Sequence, residues 1–105
     1  MYQQRRMSLY KQQSVQTTPQ QLVAKLYDLG IRACREGDRS KLRRVLVELI
    51  SSLDFEKGGE LANQLHALYE YCMQESVNGD LSTISEILSE LRTAWRESVL
   101  TARAA

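Results

Sequence analysis

The sequence predicts an all-α fold: an antiparallel up-and-down four-helix bundle with an additional short N-terminal segment. Three observations carry this. One proline and five glycines punctuate 105 residues, too few for an all-β chain that must turn roughly every ten residues. Apolar residues recur at intervals of three and four from residue 22 to residue 95, the signature of helices with one buried face. A hydrophobic content of 43% over this length fills one core and not two.

The elements follow in order. Residues 1–16, "MYQQRRMSLYKQQSVQ", are glutamine-rich, carry Arg5, Arg6 and Lys11 with no acid, and hold only a loose apolar set, Tyr2, Met7, Leu9, Tyr10 and Val15. They read as a segment that docks conditionally on the domain. The bundle itself is expected over residues 17–100. Thr18 is placed as an N-cap, with Pro19 at the first helical position and Gln21 at capping-box spacing. Leu22, Leu26, Leu29 and Ala33 then mark a helix face, and Gly37 ends it in a left-handed conformation. Asp38 caps a second helix with Leu42, Val45, Leu46, Leu49 and Leu53 on its inner side.

A turn is expected from Asp54 to Gly59. The third helix follows, with Leu61, Leu65 and Leu68 assigned to the core and Tyr69, Tyr71, Cys72 and Met73 spanning more than one face. It breaks near Asn78-Gly79. Asp80 or Ser82 caps the fourth helix, whose inner face reads Leu81, Ile84, Ile87, Leu88, Leu91, Ala94 and Trp95. Residues 101–105 are expected to fray. Helices joined by a few residues pair as antiparallel hairpins, and two such hairpins make the bundle.

Charge and cysteine usage narrow the function. Residues 1–53 carry ten Lys/Arg against four Asp/Glu, for +6, and residues 54–105 four against nine, for −5, so a net +1 conceals a two-sided molecule. The basic half has neither a long basic run nor interleaved aromatics, which argues against nucleic acid. Cys34 and Cys72 lack CxxC spacing and read as reduced core residues, which favours the cytosol. Neither a signal peptide nor a membrane-inserting run is expected.

Chemistry is scarce. His66 is the sole histidine, and neither a nucleophile with a base partner nor a glycine-rich phosphate loop is recognisable. Asp54, Glu56 and Glu60 lack the ligand spacing of a calcium loop and fit a helix start that favours acids. No enzyme activity, cofactor, metal or small-molecule substrate is expected, and an interaction protein leads.

The blocks "LDFEKGGELANQLHALYEYCM" (53–73) and "ILSELRTAWRE" (87–97), preceded by "YKQQSVQTTPQQLVAKLYDLGIR" (10–32), together resemble the flagellin-specific export chaperone family FliS. The order is the family's, and the blocks span nearly the whole chain. The resemblance implies a cytosolic four-helix bundle that binds the disordered C-terminal segment of flagellin, prevents its premature polymerisation and delivers it to the flagellar type III export gate. Leu53, Asp54, Lys57, Gly58, Gly59, Leu68, Tyr69 and Tyr71 fall on the family's central motif, and Tyr27 and Asp28 on its LYD. Met7, Tyr10 and Val15 map to a cover over the client groove. The candidate client-binding set is therefore Met7, Tyr10, Val15, Leu22, Leu26, Tyr27, Leu68, Tyr69, Tyr71 and Met73. The partners implied are flagellin and an export-gate protein. Two hairpins, after Ile31 and after Tyr71, are shorter than the family's by about seven residues, which trims each flanking helix by about one turn. The alternative is a generic helical adaptor for another secretion client or a regulator.

Overall fold

Local chemistry sets each helix boundary in the computed structural model, which describes residues 18–100, Val99 and Leu100 by backbone alone. The expected N-terminal segment, with Met7, Tyr10 and Val15, and the tail 101–105 lie outside the described residues. Helix α1 spans Pro19–Glu36. Thr18 Oγ1 accepts from the Gln21 amide at 3.1 Å, and Gln21 Oε1 accepts from the Thr18 amide at 3.1 Å. This reciprocal box satisfies two amides that a helix start leaves without intrahelical partners. Gly37, at φ 69° and ψ 19°, stops α1, a conformation other residues pay for with a Cβ clash.

Helix α2 (Arg39–Ser51) starts on the Asp38 carboxylate, which accepts from the Lys41 amide at 3.0 Å. Helix α3 (Phe55–Asn78) is capped by Asp54, which accepts from the amides of Glu56 and Lys57. Helix α4 (Leu81–Trp95) is capped by Asp80, not Ser82: the Ser82 amide and hydroxyl both donate to the Asp80 carboxylate, and these bonds hold it below the usual carboxylate range. A wide π-helical turn, Arg96–Leu100, follows α4.

The four helices form an all-α bundle in which α1 packs most extensively on α4 and α2, and α3 packs mainly on α2. Side-chain bonds from two residues, one at each end, define the antiparallel pairing. At one end the Arg39 guanidinium, where α2 begins, donates to the carbonyls of Ser76 and Gly79 where α3 finishes. At the other, the Trp95 indole N–H, where α4 finishes, donates to the Gln20 carbonyl at 2.8 Å where α1 begins. The connections after α1 and after α3 are Gly37-Asp38 and Gly79-Asp80, so both tight hairpins sit at the Arg39 end.

The buried centre comprises Tyr27, Ile31, Ala33 and Cys34 of α1, Leu42, Val45, Leu46 and Leu49 of α2, Tyr69 and Cys72 of α3, and Ile84 and Leu88 of α4. On α2 these match the expected stripe. On α1 the stripe is centred on Ala24, Tyr27, Ile31 and Cys34, with Leu26 and Leu29 on its flank. Gly30 makes the three-helix contact possible: a Cβ there would lie 2.8 Å from Leu88 Cδ1 of α4 and 3.4 Å from Val45 Cγ1 of α2.

Three expectations are corrected. The Asp54–Gly59 turn belongs to the third helix instead of preceding it. Residues 55–58 form a capped helical turn, with the Gly58 amide donating to the Asp54 carbonyl at 2.7 Å, and Gly59 breaks the helix at φ 52°, ψ −125°. That break resets the phase of α3, so its inner positions become Ala62, Leu65, Tyr69, Cys72 and Ser76, spaced alternately three and four. Leu61 consequently points outward and is 58% exposed, against its assignment to the core, and Leu68 is only partly buried on the flank. Ser76 occupies an inner position unnoticed by hydropathy, and its hydroxyl is satisfied by donating to the Met73 carbonyl at 2.6 Å. Ala94 is exposed rather than inward, because the α4 stripe runs Ile84, Leu88, Leu91, Trp95 and leaves residue 94 on its side.

Candidate functional site

At the end of the bundle away from Arg39, the start of α1, the end of α2, the start of α3 and the end of α4 converge on an open cleft of about 350 Å³. Its apolar wall consists of Val23, Leu53, Leu61, Ala62, Leu65, Tyr69 and Trp95, and its rim carries Gln20, Ser52, Asp54, Lys57 and Gly58. The local chain explains the concavity. Asp54 caps a short turn, two glycines without side chains follow, and the Gly59 break turns Leu61 outward beside the small Ala62. The glycines leave backbone where a side chain would have filled the space.

The floor of the cleft is buried and internally hydrogen-bonded. Tyr69 and Tyr27, 1% and 0% exposed, share a hydrogen bond between their hydroxyls at 2.6 Å. Burial raises both phenol pKa values, most strongly for Tyr69, so both hydroxyls stay protonated at neutral pH. Trp95 stands edge-on to Tyr27, with ring centroids 6.4 Å apart at 77°, a favoured aromatic geometry. Its indole N–H is already occupied by the Gln20 carbonyl, so the indole offers the cleft only apolar surface. The Gln20 side-chain Oε1 is buried with no hydrogen-bond partner among the described residues.

The expected site residues divide. Tyr69 lines the cleft, and Tyr27 stands directly behind it, fully buried. Leu22, Leu26 and Leu68 are half-buried and outside the cleft lining, Tyr71 is 44% exposed on the outside of α3, and Met73 lines a different groove against α2. Val23, Leu61, Leu65 and Trp95 complete the cleft and were not among the expected client-binding residues. The sequence signal that could have found them is the pair Gly58-Gly59 itself, because a break there rephases everything downstream. Asp28, on the LYD block, turns the other way and ties α1 to α4 and the turn after it by accepting from Arg92 at 2.7 Å and Arg96 at 3.2 Å.

The cleft therefore gathers Leu53, Asp54, Lys57, Gly58 and Tyr69, all from one contiguous block of sequence, with the Trp95 end of the last helix. A family model described as "Flagellar protein FliS" matches residues 37–102, which include that block and that helix. The chain belongs to the FliS family. It is 28% identical over 101 residues to a protein of Campylobacter jejuni subsp. jejuni serotype O:6 named flagellar secretion chaperone FliS, across 76% of this chain and 79% of that relative. No solved structure matches. FliS membership and this relative support a flagellar export chaperone, a class defined by binding and not by catalysis. No helix among the described residues is long and apolar enough to cross a membrane.

Proposed function

We propose that this FliS-family chain is a cytosolic flagellar export chaperone that holds the disordered C-terminal segment of flagellin, keeps it from polymerising early and hands it to the export gate. The observation that carries this reading is the apolar cleft walled by Leu53, Leu61, Leu65 and Trp95 over a buried Tyr27–Tyr69 floor. An amphipathic segment that is disordered alone gains helix and apolar burial together when it lies in such a cleft. The ordering costs about 2–5 kcal/mol, so the client needs a long contact. Leu22, Leu26, Leu68 and Tyr71, spread over the outside of α1 and α3, extend that contact beyond the cleft, and Met7, Tyr10 and Val15 cover it when no client is bound.

A hydroxyl pair that is internally satisfied asks nothing of the client, so affinity comes from shape and apolar area.

The test is calorimetric titration with the C-terminal segment of the cognate flagellin at several temperatures. One-to-one binding with a strongly negative heat-capacity change is expected. Leu61→Asp places a charge in the exposed apolar wall without touching the core and weakens binding at least about tenfold, or about 1.4 kcal/mol. A folded protein that fails to bind this segment, with or without residues 1–16, rejects flagellin as client and leaves an adaptor for another secretion client or a regulator.

A further inference from the structure

Away from the cleft, α2 presents a second groove of about 430 Å³, walled by Arg43, Arg44, Val47 and Glu48 with Met73 of α3 on the far side. Its charge is unusual. Four of the first six residues of α2, Arg39, Lys41, Arg43 and Arg44, are cations, and its first turn contains no acid. A helix start carries partial positive charge and favours acids there, so this arrangement opposes the helix macrodipole. Arg39 has a structural use, binding the carbonyls that end α3. Arg43 and Arg44 have none: both are exposed, and neither forms an ion pair or hydrogen bond with a described residue. Glu48 lies one turn beyond Arg44 in the less favourable arginine-before-glutamate order and does not pair with it.

Between the two charged ends lies apolar surface. Val47 is 48% exposed, and Met73 is half-buried, a thioether side chain suited to an irregular partner surface. The groove thus reads, along α2, as two free guanidiniums, an apolar step, then a carboxylate. The chain's own terminal segments do not complement it. Residues 1–17 hold Arg5, Arg6 and Lys11 and no acid, and Arg103 is the single charged side chain of residues 101–105. A second copy would present its own basic α2 at the same face, so a symmetric α2-on-α2 contact would set like charges together.

We propose that this groove docks an acidic amphipathic helix of a separate partner protein, with carboxylates one turn apart on Arg43 and Arg44 and an apolar side chain between Val47 and Met73. The site is distinct from the client cleft, so partner and client bind together. Long-range attraction to the unpaired arginines speeds encounter, and the apolar step selects a partner with the matching side chain.

The experiment uses the full-length chain and a labelled synthetic amphipathic helix bearing glutamates at i and i+4 beside a leucine. Fluorescence anisotropy gives its affinity, and carbon-13 methyl spectra follow Met73. Saturable one-to-one binding that shifts the Met73 methyl is expected. Arg43→Glu with Arg44→Glu weakens it at least about tenfold, whereas Lys25→Glu with Arg32→Glu, an equal charge reversal on α1, changes it by less than about twofold. Saturation with the flagellin C-terminal segment leaves the peptide affinity unchanged; competition between them would place the groove within the client surface and overturn a separate partner site. Equal loss in both double variants, or binding without a Met73 shift, would reduce the effect to net charge and overturn the docking groove. Salt-sensitive self-association of the chain that blocks the peptide would assign the groove to a second copy. A chain that binds the peptide as expected but not flagellin loses the proposed client while keeping this site, so the two readings fail separately.

Discussion

Removing one hydroxyl of the Tyr27–Tyr69 pair should cost more than removing both. The two phenols lie 2.6 Å apart in a site where both side chains are almost fully excluded from solvent. Tyr27→Phe leaves the Tyr69 hydroxyl buried without a partner, and Tyr69→Phe does the same to Tyr27. A stranded buried hydroxyl costs about 1–3 kcal/mol, whereas replacing both partners by apolar groups of the same shape is close to neutral. Each single variant should therefore lose about 1–3 kcal/mol, and the double variant less than either single, so that the coupling approaches the sum of the two single losses. At about 4–8 °C per kcal/mol for a domain of this size, each single lowers Tm by at least about 4 °C. The ring contact with Trp95 survives in every variant because phenylalanine keeps the ring. Urea unfolding followed by circular dichroism, with unchanged m-values, measures the cycle. Additive losses, or a double variant worse than either single, would refute the account of the floor as a mutually satisfied pair.

The backbone and charged groups give further outcomes. Gly59→Ala should destabilise by about 1–3 kcal/mol, because φ 52°, ψ −125° is a conformation open essentially to glycine, and it should also weaken client binding by straightening the cleft rim; unchanged stability in thermal unfolding would remove the break from the argument. Gly30→Ala should cost about 1–3 kcal/mol by forcing a methyl against Leu88 and Val45, and a neutral result in the same assay would show that the three helices can separate. Burial, the first cause, with the nearby Cys34 and Glu75 charges, pushes the Cys72 thiol from 9.0 up to about 11. A pKa raised on folding contributes stability that is whole below 9.0 and is lost as pH climbs through about 11, so the urea midpoint should fall across that window, and less steeply in Cys72→Ala; equal slopes would acquit the thiol. Arg39→Gln should loosen the end where both tight hairpins meet, raising amide exchange at Gly79 and its neighbours while leaving the far cleft unchanged, and uniform exchange would deny Arg39 that local role.

The sequence by itself determined the number of helices, their caps and most of their boundaries, because these rest on short-range chemistry. Thr18, Asp38 and Asp54 are capping residues wherever such a chain turns into a helix, Gly37 stops one for steric reasons, and α2 shows its buried stripe in plain hydropathy. The block from Leu53 to Met73 also announced its family, since composition at fixed spacing survives without any structure. The tertiary structure alone decided which faces of α1 and α3 turn inward. Leu22 and Leu61 look like core residues when counted from their neighbours, yet Tyr27 and Tyr69 take the centre because their hydroxyls find one another 42 residues apart in sequence. The Gly59 break, a single backbone conformation, shifts the phase of everything after it, so Ser76 goes in and Leu61 comes out to form the cleft. Local propensity sets where a helix begins and ends. Which of its sides meets the core depends on long-range packing, and the apolar cleft is made from the side left over.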